Sequence, residues 1–184
     1  MRMSRVPEVS EASMTPEQRR VAQAIAGGPR GSVRGPFKVL LHSPQLADCV
    51  QALGAYVRFD CKVPPKLREL AILVTAHHWR AQYEWYAHDI EARKVGLDAS
   101  IIESVRKGER PKFTEPAEEI VYDFSSELYA KKRVSDATFG KAQDLLGTQG
   151  VIDLGGLLGH YNVIAIALNI CEVEVPGGGK PLAE

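Results

Sequence analysis

Glu84 and His88 stand four residues apart in the stretch YEWYAHDIEARKVG, so on a helix they share one face. A carboxylate one turn from an imidazole can fix the ring's tautomer and raise its basicity, which suits general acid–base chemistry. The same spacing also describes an ordinary surface pair worth roughly a few tenths of a kcal/mol. Glu69 lies fifteen residues before Glu84 and reaches the same place if the helix carrying it folds back on the next one. Its plainer role is an ion pair with Arg68 in a solvated first turn. Trp79, Tyr83, Trp85 and Tyr86 surround the Glu–His pair, and aromatics at this density build either a core or the walls of a small pocket. His77 and His78 are adjacent, so on a helix they point about 100° apart and cannot serve one site.

A second dense region is DLGGLLGHYNVIAIALNICEV, residues 153–173. Gly155, Gly156 and Gly159 would each cost a helix about 1 kcal/mol against alanine. Such glycines usually allow a close helix contact or leave room for a ligand. His160 falls on a stripe with Asp153, Gly156, Ile164 and Ala167, where a polar ring among small residues is either a satisfied core histidine or part of a cavity wall. A metal site from Glu84, His88 and His160 is conceivable. The helical spacings that would support one, HExxH or a pair of ExxH motifs, are absent, and no metal is expected. Nor does the chain contain a phosphate loop, a GxSxG elbow or a strand–GxGxxG unit, so no cofactor is expected either.

The elements that must position these residues read as helices throughout. Thr15-Pro16-Glu17 starts the first, which stops at Gly27-Gly28-Pro29. The stretch GGPRGSVRGPF (27–37) is a loop whose Arg30 and Arg34 are either solvated or placed to meet an anion. Ser43-Pro44 opens a second helix running to about Asp60, with Leu46, Val50, Leu53 and Val57 as its apolar stripe. Pro64-Pro65 opens a third, KLRELAILVTAHHW. After a pause near Arg80 a fourth runs to Gly96. Further helices start at Asp98, Thr114 and Ser135, the last of these ending near Gly147, and a long one spans about Gly150 to Val173. No segment alternates with period two, so the fold class is all-α with about eight helices. Residues 1–13 read as a flexible arm, 14–176 as one domain and 177–184 as a flexible tail.

Bulk properties narrow the function. Lys plus Arg and Asp plus Glu both number 23, so the net charge is zero and there is no electrostatic footprint for nucleic acid or an anionic membrane. The first residues lack an apolar signal segment, and polar residues interrupt the most apolar run, so a cytoplasmic protein is expected. Cys49, Cys61 and Cys171 form no CxxC and read as reduced thiols.

Taken in order, RELAILVTA, YEWYAHDIEARKVGL and GHYNVIAIALN followed by Pro-Gly resemble the carboxymuconolactone decarboxylase family, which includes AhpD-like alkylhydroperoxidases. The resemblance covers residues 44–176 and is sharpest over 66–97. It implies an AhpD-like helical bundle assembled as a homo-trimer or homo-hexamer. The family's peroxidase branch carries a Glu, two cysteines separated by two residues, and a His four beyond the second. Those positions fall on Glu69, Ala81, Glu84 and His88, so both thiols are missing. Without a thiolate there is no nucleophile for a peroxide. The decarboxylase branch, which also lacks the pair, implies a cofactor-free lyase or isomerase acting on a small-molecule carboxylate. On that reading His88 is the acid–base group, Glu84 orients it and Glu69 joins them. Arg68 or His160 holds the substrate carboxylate, and Tyr83, Trp85 and Tyr161 line the pocket. An antioxidant or hydrolytic enzyme without the cysteine pair, or a non-catalytic oligomeric small-molecule-binding protein, are the alternatives.

Overall fold

The structure is a computed structural model that describes residues 4–182. Among these residues there are eight α-helices and no strand: α1 (Pro16–Gly27), α2 (Pro36–Leu40), α3 (Pro44–Ala55), α4 (Pro65–His78), α5 (Gln82–Lys94), α6 (Ala99–Lys107), α7 (Pro116–Lys131) and α8 (Asp136–Cys171). Their starts follow local chemistry. The Gln18 N–H donates to Thr15 Oγ1 and the Thr15 N–H donates to Gln18 Oε1, closing a capping box ahead of Pro16. Asp98 and Ser135 cap α6 and α8 by accepting from the Ser100 and Thr138 amides. Pro44, Pro65 and Pro116 sit in first turns, where the N–H they lack has no helical partner anyway.

The central element is α4. Nine of its residues are buried, Glu69 and Thr75 among them, which is far more than one amphipathic stripe. It packs against α5, α7 and α8 and also touches α6. One apolar cluster joins α1, α2, α3 and α8 through residues such as Val21, Leu41, Val57 and Leu158. A second gathers Leu70, Leu73 and Trp85 with Ile101, Ile102 and Leu182. Among the described residues α8 alone is long and apolar enough to cross a membrane, but 61% of its most apolar window is buried inside the bundle. Its axis breaks at Gly147 (φ 70°, ψ 172°), where the sequence places a helix stop, so the last two expected helices are joined through one left-handed residue.

The structure departs from the sequence reading in several places. On α3 the buried face is Ala47, Val50 and Gly54, followed by Val57, while Leu46 and Leu53 are 48% and 44% exposed. The small residues face the bundle because they let the backbone approach closely, so ranking positions by apolar size rotates the helix the wrong way. Beyond Ala55 the helix continues as a wider π turn, Tyr56–Asp60. The loop read over 27–37 gives way at Pro36 to the short α2. The segment expected as a loose arm is tied down over its described part. The Arg5 N–H and Ser4 Oγ–H both donate to the Cys171 carbonyl, and Lys38 pairs with Glu8 at 2.7 Å. In the segment expected as a flexible tail, Leu182 is fully buried and its backbone exchanges two hydrogen bonds with the Gln82 amide group. Polar, glycine-rich composition hides such fixed points, which depend on single residues. Residues 1–3, 183 and 184 lie outside the described residues.

Candidate active site

A tight turn makes the site possible. α4 ends at His78, Arg80 takes a left-handed φ of 52°, and the Ala81 N–H closes back on the Ala76 carbonyl at 2.9 Å. The chain therefore reverses, and α5 lies along α4. Residues placed evenly about the turn then meet. His88 Nδ1–H donates to Glu69 Oε2 at 2.7 Å across 19 residues of sequence. The two side chains are only 9% and 10% exposed. A carboxylate can only accept, so in the neutral ring this bond places the proton on Nδ1 and the lone pair on Nε2. Tyr161 of α8 meets the His88 ring edge-on at 4.9 Å and the His160 ring at 5.1 Å, so one tyrosine fixes both imidazoles.

Beside this pair lies a cavity of about 320 Å³. α5 supplies Tyr83, Glu84 and His88 to its wall, and α8 supplies His160, Tyr161 and Ile164. Arg30 and Arg34 come from the loop before α2, and Arg58 from the π turn after α3. Arg30 lies over the Phe37 ring, 4.7 Å from its centroid. Its Nη2 and the His160 ring crowd against α3 at Gly54, where a Cβ would stand 2.1 Å from the guanidinium and 2.7 Å from the imidazole. Nε and Nη2 of Arg30 are buried without a hydrogen-bond partner.

The electrostatics follow from this crowding. Burial, then the neighbouring Arg58 and Arg34, bring the Arg30 pKa down to about 10, which leaves it a cation at neutral pH. Burial is again the first cause for His160, followed by Arg30, Arg58 and His88; together they bring its pKa down to about 3. His160 is therefore a neutral ring in a cavity of positive potential. Glu84 is 1% exposed, both of its carboxyl oxygens lack a partner, and burial alone pushes its pKa well above the usual carboxylate range.

Of the residues singled out from sequence, Tyr83, Glu84, His88, His160 and Tyr161 line the cavity, with Glu69 held against His88. Three expectations are corrected. Glu69, not Glu84, orients His88, because the hairpin turn brings α4 opposite α5 while a neighbour one turn away points its carboxyl elsewhere. Trp85 is core: it is 1% exposed and packs with Leu70 and Leu73. Arg68 is absent from the cavity wall, where Arg30, Arg34 and Arg58 stand instead. For Arg30 the signal was two arginines in a Gly/Pro-rich loop. Arg58 gave none, since only the fold of the π turn aims it. Among the described residues no three His, Cys, Asp or Glu side chains come together as a metal site, so Glu84, His88 and His160 do not form one. Ala81 is fully buried, and none of Cys49, Cys61 and Cys171 lines the cavity.

No protein-family model matches the chain, and no curated protein matches it in sequence. Among solved structures it is similar to the crystal structure of an alkylhydroperoxidase AhpD core, an uncharacterized peroxidase-related protein from Ralstonia eutropha JMP134. The two agree with a TM-score of 0.77 over 95% of this chain and 93% of that one, at 17% sequence identity. The fold is thus the all-α, AhpD-like bundle that the sequence leads one to expect.

Proposed function

We propose that this chain is a carboxymuconolactone decarboxylase-like enzyme, a cofactor-free lyase or isomerase that acts on a small carboxylate by acid–base chemistry. The observation that carries the reading is the buried Glu69–His88 hydrogen bond beside a cavity lined by three arginines, Arg30, Arg34 and Arg58. His88 Nε2 is the atom that takes up and returns a proton, and Glu69 keeps the ring in that tautomer and steadies its charged form. Arg30 holds the substrate carboxylate, with Arg58 adding to the field. His160, being neutral, offers a hydrogen bond without competing as a cation. No thiol lines the cavity, so thiol-based peroxidase chemistry has no nucleophile there.

The protein works as a cytoplasmic homo-trimer or homo-hexamer. Support for assembly comes from apolar side chains left on the outer face of α8: Ile152 and Ile170 are 69% and 62% exposed, and Val163 and Ile166 lie between them.

The test is an absorbance assay for loss of carboxymuconolactone by the wild type, His88→Ala and Arg30→Met. Turnover that His88→Ala abolishes, with a raised KM in Arg30→Met, is the expected result. Equal turnover in wild type and His88→Ala removes His88 from the mechanism. No turnover by any of the three sends the search to other small acids and favours a non-catalytic binding protein.

A further inference from the structure

We propose that Glu84 is the proton donor of the cavity: a carboxylic acid in its wall, one helical turn from the hydrogen-bonded His88–Glu69 pair. This rests on the acid–base reading above and assigns the half of it that the Glu69–His88 pair does not supply.

The first argument is comparison within the protein. Four acidic side chains are buried among the described residues: Glu69, Glu84, Glu118 and Asp153. Glu69 accepts from His88, Glu118 pairs with Lys66 at 3.0 Å, and Asp153 accepts from the Tyr56 hydroxyl and the Lys62 amide at 2.8 Å each. The fold thus gives every other buried acid a donor. Glu84 has none on either oxygen. A buried polar group without a partner destabilises a fold, and a leucine or alanine there would remove that cost. Such a residue on a cavity wall is best explained by what it does for a ligand.

The second argument is what surrounds it. The groups that feel its charge are Tyr129 on α7 and Tyr161 on α8, and burial pushes both phenols up, Tyr129 to about 12. Both are therefore neutral at neutral pH and supply no counter-charge. The cavity cations Arg30 and Arg58 are absent from the influences on Glu84, for which burial is the sole cause of its raised pKa. The site thus sets two carboxyl groups in contrasting surroundings, one bonded to an imidazole and one without a hydrogen-bond partner. That contrast is how a site separates its acid from its base.

In a decarboxylation the bond to the departing carboxylate breaks and its electron pair stays on the carbon as CO2 leaves. Glu84 gives that carbon its proton and becomes a carboxylate. It regains a proton from solvent, so one proton is consumed per turnover.

The decisive experiment is an infrared difference spectrum, wild type minus Glu84→Gln, recorded at neutral pH and again immediately after transfer to D2O. The expected result is a protonated-carboxyl C=O band in the wild type that moves to its deuterated position within the mixing time. A spectrum with only carboxylate bands overturns the proposal. So does a C=O band that exchanges as slowly as the core amides, because a sealed acid cannot serve a substrate. If Glu84→Gln does not fold, judged by circular dichroism, Glu84→Met serves as the blank. Where the wild type turns over carboxymuconolactone, Glu84→Gln lowers kcat by about 10²-fold or more with KM little changed; an unchanged kcat overturns the donor role. Absence of turnover in the wild type would count against the lyase reading and leave the infrared result standing on its own.

Discussion

Replacing Glu84 by glutamine changes how stability depends on pH, and the size of that change follows from burial alone. In the unfolded chain Glu84 ionises in the ordinary carboxylate range, near 4.5, whereas in the folded protein burial raises its pKa well above that. Between the two values the unfolded chain releases a proton that the folded chain keeps. A folded pKa above the unfolded one gives stability that is complete at low pH and is lost as pH rises. The loss amounts to about 1.4 kcal/mol for each pH unit over which the folded carboxyl stays protonated. For a domain of this size that is about 3–5 °C in Tm per unit. Glu84→Gln has no proton to lose and lacks this slope. The two melting curves, followed by circular dichroism in a pH series, should therefore diverge as pH rises above the carboxylate range, with the variant gaining on the wild type. A change in a contact that does not titrate would offset one curve without altering its slope. Parallel lines from acid to neutral pH would mean that Glu84 is ionised in the folded protein, and the reasoning about its isolation would fail.

Other perturbations probe the remaining walls of the site. His160, with its pKa brought down to about 3, should show one neutral ring by NMR across the pH 5–8 window in which an ordinary histidine titrates, and Arg30→Met should raise that value. The associated stability is present above the ordinary histidine range and is lost as pH falls from there towards 3. Gly54→Ala puts a methyl group where Arg30 and His160 now meet α3 and should cost about 1–3 kcal/mol in chemical denaturation; it should also weaken protection by benzoate, a small carboxylate probe. Leu182→Ala should cost about 2–4 kcal/mol, and the Gly177–Gly179 stretch should become easier to cut with protease, since Leu182 is fully buried among Leu70, Trp85 and Ile102.

Much of the fold is written locally. The caps at Thr15, Asp98 and Ser135 and the prolines at 44, 65 and 116 mark helix starts that the structure keeps within a residue or two. The Glu69–His88 pair is half legible. The resemblance aligns both residues, but spacing alone favours the wrong carboxylate, because period 3.6 sees only neighbours on one helix and not the reversal at Arg80. Trp85 looks like a pocket wall for the same reason: sequence shows that aromatics cluster, not which side of α5 faces α4 and α6. Arg30 is marked in sequence by its Gly/Pro-rich loop, though not aimed at the site, and Arg58 could be found only in three dimensions. Each sits in an irregular segment whose direction is set by packing around Gly54 and the π turn, not by any pattern along the chain.

The proton-handling groups and the arginines come from separate parts of the chain. Glu69, Glu84 and His88 all belong to the α4–α5 hairpin, whereas Arg30, Arg34 and Arg58 come from the loop before α2 and the turn after α3. Divergence can therefore act on the two independently. Drift in the 28–35 loop can retune which anion enters while the hairpin keeps its chemistry, and a new residue at position 84 can change the chemistry while the anion seat stays. A lineage built on this scaffold would be expected to radiate in substrate faster than in reaction type, with its variation concentrated ahead of α2.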